Sequence, residues 1–304
     1  ETSVVESQYA IGTLQKLIGE WKKTTPLPTS IYGLTSVVCN NKIYALGHIA
    51  YFAPINVDGT LGNWVGTIRP SIGTPYINSI VYGGNIYIIA IRNRMTWFGK
   101  PNIDTGQLTW QGAGSFFYYS GSAPAMVVSG NRIYVLGGRG LYVPGGGFES
   151  YTKRVFYATI NLDGSISSWK STTSLPEPRS DHSAVVLGNR IYVIGGYDGS
   201  KLVSTVYCGE IDSSGNITSW KTVRPLPGNR AYHSADGYQN FIFVTGGCGD
   251  GWTPKNTVYY TRVDKQTGEL EEWQTDYFLS PRYKHDSVIH NGKMYLINGD
   301  YDNA

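Results

Sequence analysis

A unit of roughly 50 residues recurs six times along the chain, and internal repetition at such a period restricts the fold more than any other feature. Each copy has a small polar turn, an Ile-Tyr pair or its equivalent, and an apolar strand end. The copies are Asn41-Lys-Ile-Tyr44-Ala-Leu-Gly47, Gly84-Asn-Ile-Tyr87-Ile-Ile-Ala90, Asn131-Arg-Ile-Tyr134-Val-Leu-Gly-Gly138, Asn189-Arg-Ile-Tyr192-Val-Ile-Gly-Gly196, Asn240-Phe-Ile-Phe243-Val-Thr-Gly-Gly247 and Gly292-Lys-Met-Tyr295-Leu-Ile-Asn-Gly299. A tryptophan keeps step with them: Trp21, Trp64, Trp110, Trp169, Trp220 and Trp273. The interval from each Trp to the next Ile or Met of the unit is 21 to 23 residues, so the backbone path between them is fixed. Five of the tryptophans follow an apolar-Asp-Gly-apolar signature, as in Val57-Asp58-Gly59-Thr60-Leu61 and Leu162-Asp163-Gly164-Ser-Ile166. Asp caps such a turn through its side chain, and Gly supplies the positive φ that reverses a strand pair. Each unit therefore reads as four antiparallel strands, A to D, which in the fourth copy cover 184–187, 191–194, 203–210 and 217–221. No segment sustains a 3.6-residue apolar period, so helix content is expected to be minimal.

The order Arg-x-x-His, Ile-Tyr-Val-x-Gly-Gly, C-D hairpin and Trp resembles the kelch repeat, over the whole chain and most clearly at 169–247. The resemblance implies a β-propeller, one four-stranded blade per repeat about a central channel. The expected fold is a single all-β domain over 1–304, a six-bladed propeller of four-stranded antiparallel blades. The C-terminus stops after an A-B pair (286–299), and 4–11 with 17–21 supply the missing strands. The N-terminal outer strands would then complete the C-terminal blade and close the ring, hiding the sheet edges. The copies are not uniform. Gly-Gly becomes Gly47-His48, Ala90-Ile91 and Asn298-Gly299, and the first three copies lack Arg-x-x-His. The tryptophans read as packing between adjacent blades.

Composition narrows the partners. A net charge of +3 over 304 residues, with 15% charged, offers no clustered basic stripe, so nucleic acid is disfavoured. No apolar run reaches the length of a membrane span. The three cysteines are far apart and in no metal-ligand spacing, and no phosphate-cradling loop or Gly-x-Ser-x-Gly elbow is present. Neither cofactor nor metal is expected. Low charge with abundant Tyr and Gly leans towards an extracellular or cell-surface setting, with a cytoplasmic one still open.

Binding is expected on the face carrying the B-C and D-A connections, where loops vary (47–54, 139–153, 248–256). On that face Arg179-Ser-Asp-His182, Arg230-Ala-Tyr232-His233 and Arg282-Tyr283-Lys-His285 precede strand A in copies four to six. Two readings stand. The guanidinium groups line half of the channel mouth as a pocket for acidic groups, or Arg and His bond backbone carbonyls and neighbouring blades. Tyr142, Phe148 and Trp252 in Gly-rich connections suit sugar faces or protein hot spots. The leading function is a non-catalytic binding or structural propeller for a protein or glycan with acidic groups. The alternative is an epimerase or lyase acting on an acidic sugar, with Asp181, Glu177 or Asp236 as acid or base. Self-assembly is a third reading. The kelch resemblance also implies a copper oxidase among relatives, but no Tyr-Cys and His set can be assigned here.

Overall fold

A computed structural model describes residues 3–7, 18–31, 33–70, 77–90, 94–116, 119–143 and 147–299. Apolar and β-branched runs broken by Gly, Asn and Asp turns give an all-β chain. Its one helical element among the described residues is a 3-10 turn, Asp250–Trp252. In the fourth copy the strands are Ser183–Leu187, Arg190–Ile194, Val206–Ile211 and Ile217–Val223, paired in that order as an antiparallel meander. Strand C starts later than residue 203 because the Val203 N–H is drawn to the Gly196 carbonyl.

Blades one to five are each one continuous stretch of this build: 35–66, 77–115, 125–172, 183–223 and 234–282. The expectation of six like blades is corrected here: five are self-contained. A further four-stranded sheet is composite, ordered Ile18–Lys23, Ser3–Ser7, Lys293–Ile297, Asp286–His290. Ser3–Ser7 lies between its neighbours with Val4 opposite Tyr295 and Val5 opposite Trp21. Residues 8–11 of the strand expected there lie outside the described residues.

Two connections also differ from expectation. Residues 50–54 are strand C of blade one, Ala50–Pro54, with Pro54 opposite Lys42. The third B-C connection is a hairpin, Arg139–Val143 with Gly147–Tyr151, joined by Tyr119–Ser122 into a three-stranded sheet. Tyr142 and Phe148 are cross-strand partners in it. Glycine-rich composition signalled a loop, but strand pairing is a tertiary event that composition does not show.

The A strands neighbour one another in a cycle around a central channel: Thr35–Cys39, Ile77–Tyr82, Ala125–Ser129, Ser183–Leu187, Ser234–Tyr238, Asp286–His290 and back to the first. Apolar clusters fill the seams between successive sheets; Tyr192 and Ile194, for example, pack with Ile242, Val244 and Trp273 of the next blade. Trp21, Trp64, Trp169 and Trp273 are buried in such seams. Trp110 and Trp220 are half-buried and lie over Gly99 and Gly209 of the paired strand. Their indole N–H groups donate to Ile68 and Thr173 carbonyls on the preceding blade's exit. Cys39, Cys208 and Cys248 are buried and unpaired. Among the described residues no helix is long and apolar enough to cross a membrane.

Candidate functional site

The Arg-x-x-His segments lock blade to blade. Arg179, Arg230 and Arg282 are at most 2% exposed. Each guanidinium turns into its own blade and donates to the carbonyl that ends strand B: Gly195 at 3.1 Å, Gly246 at 2.7 Å and Asn298 at 3.2 Å. Arg179 and Arg230 also bond Thr205 and Thr257 hydroxyls. The rings of Tyr207, Tyr259 and Phe278 lie beneath the three guanidinium groups at 5.0, 4.7 and 5.4 Å. Meanwhile the main-chain carbonyls of the same arginines accept from Gly138, Gly196 and Gly247 N–H of the preceding blade, at 2.6, 2.7 and 2.8 Å. His182, His233 and His285 rest on Gly137, Gly195 and Gly246 of that same preceding blade. Gly195 must be glycine: its φ is +57°, and a Cβ would stand 2.6 Å from the Arg230 carbonyl. The forked pocket for acidic groups is therefore corrected. The strand-end carbonyls, the threonine hydroxyls and the aromatic rings hold the arginines inside the seams and offset the cost of desolvating them. The acidic-sugar enzyme reading loses the cations it needed.

What does reach the mouth is the residue just before each His. Asp181, Tyr232 and Lys284 have φ of +53°, +54° and +52°, and Ala123 takes the same position in blade three at +61°. Non-Gly residues hold the left-handed region only where surroundings compensate the cost. Here the compensation is a relay of main-chain bonds around the rim: Asp181 N–H to Ala123 O, Tyr232 N–H to Asp181 O, Lys284 N–H to Tyr232 O, at 3.1, 3.0 and 3.0 Å. The turned backbone places three different side chains at the rim, with Lys284 exposed, Tyr232 half-buried and Asp181 buried. Asp181 lies 3.7 Å from Arg139 of the extra hairpin, and the Tyr232 hydroxyl is in hydrogen-bonding reach of both. Burial, then the Asp181 charge, pushes the Tyr232 phenol up to about 12. An aromatic arc continues from it. Tyr151, Tyr197, Trp252, Tyr232 and Tyr283 follow one another with centroids 5.4 to 6.4 Å apart. Trp252 is 51% exposed, and Lys284 Nζ lies over the rings of Tyr232 and Tyr283 at 5.5 and 5.1 Å. Phe148 is exposed on the hairpin.

The family model described as the KLHDC2/KLHL20/DRC7 Kelch-repeats domain matches residues 123–304, more than half of the chain. The chain belongs to the kelch-repeat family. Among its relatives, Kelch-like protein terF of Aspergillus terreus is 24% identical over 300 residues, covering 93% of this chain and 52% of its own. Human Kelch-like protein 15 is 26% identical over 184 residues (57% of this chain, 29% of its own). Mouse Kelch-like protein 38 is 26% identical over 138 residues (45% and 23%). The kelch chain thus spans about half the length of the first of these relatives and less of the others. The matched half is the half that carries the Gly-Gly and Arg-x-x-His locks. In the other half the A strands use side chains to bridge seams: Thr35 with the Ser79 hydroxyl at 2.7 Å, and Asn78 Nδ2 to Pro124 O at 3.4 Å.

Within the kelch channel, His182, His233, His285, Ser183, Ser234 and Asp286 border a cavity of about 260 Å³. Burial, then the arginine behind each ring, drives His182 and His233 down to about 3 and His285 well below its ordinary value, so all three are neutral. Asp286 spans two seams: it accepts from Ser36 N–H of blade one and from the Ser234 hydroxyl of blade five. Asp236 accepts from the Ser287 hydroxyl. Burial raises both carboxyls, Asp236 to about 7. Among the described residues no group of three or more His, Cys, Asp or Glu is placed to hold a metal ion. Of the residues singled out from sequence, Tyr232, Tyr283 and Trp252 come together, Tyr142 contributes its backbone to the hairpin, and the Arg and His residues serve the seams. Lys284, Arg139, Tyr151 and Tyr197 were missed. Lys284 had a usable signal, because it shares its slot with Asp181 and Tyr232.

Proposed function

We propose that this kelch propeller is a non-catalytic binding module. The composite sheet acts as the blade that closes its ring, and a protein partner docks across the rim formed by the left-handed corners. The carrying observation is the aromatic arc from Tyr151 to Tyr283, with Trp252 standing out of it and Lys284 above it. Tyr and Trp supply large contact area with few rotatable bonds and dominate binding energy at protein interfaces. Lys284 gives the rim an exposed cation that favours an acidic side chain in the partner. The buried arginines support the surface from below by holding the corners in place. The test is partner capture from native extract by wild type and by Trp252→Ala, followed by titration of the shared interactor. A tenfold or greater loss for Trp252→Ala and for Lys284→Glu, with unchanged melting, is expected. Equal affinity for wild type and both variants would refute the rim as the docking face.

A further inference from the structure

The residue that begins strand B performs a seam task in most sheets, and blade two omits it. In four sheets this residue is a long cation: Lys42, Arg132, Arg190 or Lys293. Each lies over a C-D hairpin of the next sheet in the ring. Lys42 Nζ donates to the Ile103 carbonyl at 3.0 Å, and Arg190 to the Lys265 and Gln266 carbonyls at 2.9 Å. Arg132 and Lys293 lie directly against Gly215 and Gly59, with side-chain atoms 2.5 and 2.1 Å from where a Cβ would stand. The tyrosine two residues on makes a second contact. The hydroxyls of Tyr44, Tyr134, Tyr192 and Tyr295 donate to the carbonyls of Gly106, Gly215, Gly268 and Gly59 at 3.0, 2.6, 3.1 and 2.9 Å.

Blade two has Asn85 in the cation's place. Asn85 is too short to cross the seam, and its Nδ2 turns back to the Gly83 carbonyl at 3.4 Å. Tyr87 follows, 1% exposed, yet its hydroxyl makes no hydrogen bond among the described residues. The seam between blades two and three stays open as a cleft of about 620 Å³, within the range of small-molecule sites, roughly 300–1,000 Å³. Tyr82, Asn85 and Tyr87 form one wall, and Asn131, Thr159 and Asn161 belong to the other. Asn131 and Asn161 each commit an amide hydrogen to their own blade, at Ile160 O and Ser165 Oγ, without engaging their Oδ1 atoms among the described residues. No charged side chain lines the cleft. The Asp163 carboxylate on the adjoining hairpin is close enough for Tyr87 to feel its charge, which opposes an anionic occupant.

We propose that this cleft binds a neutral, hydroxyl-rich sugar, a short uncharged oligosaccharide. Carboxamides and phenols donate and accept at once, which matches ligand hydroxyls that do the same, and the tyrosine rings supply the apolar surface a sugar face needs. The Tyr87 hydroxyl, with no protein partner among the described residues and facing the cleft, exchanges water for a ligand hydroxyl on binding. The cleft opens on the A-B and C-D face, opposite the rim, and does not rest on the docking reading above.

The test is a glycan array of neutral, sialylated and sulfated oligosaccharides, followed by calorimetric titration of the retained glycans. Wild type is compared with Tyr87→Phe, which deletes one oxygen, and Asn85→Lys, which installs the cation found in four of the other sheets. Retention of neutral and not of charged glycans is expected. Both variants should lose tenfold or more in affinity, and Trp252→Ala on the opposite face should bind as wild type. The proposal is overturned if no neutral glycan is retained, if charged glycans bind equally well, if Tyr87→Phe binds as tightly as wild type, or if Trp252→Ala abolishes binding. Should Asn85→Lys lower the melting temperature, Tyr87→Phe alone decides.

Discussion

Arg230 carries a full charge to a position 2% exposed, and it remains there because each hydrogen bond it makes is charge-assisted. Arg230→Ala leaves the Gly246 carbonyl and Thr257 without their donor, so a loss of about 3 kcal/mol in urea unfolding is expected. Lysine should not restore it, since one ammonium cannot reproduce the planar fork over Tyr259. The channel residues make stability pH-dependent in opposing ways. His182 and His233 titrate near 3 in the fold against 6.5 unfolded. Only the unfolded chain takes up those protons, so stability falls as pH drops from about 6.5 towards 3. Asp236, raised to about 7 from 3.8, has the opposite sign: its contribution is complete below 3.8 and is lost as pH rises to 7. Asp236→Asn keeps an acceptor for Ser287 and removes that loss. Relative to wild type it should therefore gain stability on going from pH 4 to pH 7, by up to about 1.4 kcal/mol per unit, read from denaturant midpoints across that range. That these residues are titratable is plain in the sequence. That they titrate abnormally follows only from the enclosure the ring creates.

Between elements, the seam is the unit of stability, and it is written in two successive copies. Gly-Gly occurs in copies three, four and five, and Arg-x-x-His in copies four, five and six. The offset of one copy is the sequence signature of a lock between neighbours, legible once Gly138, Gly196 and Gly247 are seen donating to the next blade's arginine. Asn298 of the sixth copy holds the left-handed turn of the first glycine at φ +61°, although the blade after it lacks Arg-x-x-His. Gly195→Ala should cost about 2–4 kcal/mol in thermal or urea unfolding, from the positive φ and the Arg230 carbonyl 2.6 Å from the new Cβ. The tyrosine contacts give an internal control. Tyr192→Phe deletes a buried bond to the Gly268 carbonyl and should cost about 1 kcal/mol, whereas Tyr87→Phe removes an unbonded hydroxyl and should leave the unfolding midpoint where it is.

For the whole molecule, the composite sheet is the blade proposed to close the ring. Val5 lies between Met294 and Trp21 in its ladder. Val5→Pro removes a backbone donor there and should speed amide exchange in Lys293–Ile297 more than in Arg190–Ile194, as read by mass spectrometry. The exposed edge should then recruit other copies, seen as a concentration-dependent larger species in gel filtration. The strand alternation, the hairpin glycines and the Trp spacing already sufficed to specify an all-β chain of repeated four-stranded units, with the propeller implied by the kelch resemblance, because period and turn chemistry are local and a chain of repeats reports each local rule several times over. Tertiary structure alone decided where Arg179, Arg230 and Arg282 point, that Arg139–Val143 pairs with Gly147–Tyr151, and that Asp181, Tyr232 and Lys284 share the rim. Those outcomes depend on which carbonyls and rings the neighbouring blade brings within a few ångströms, and contacts between residues far apart in the chain leave no local trace.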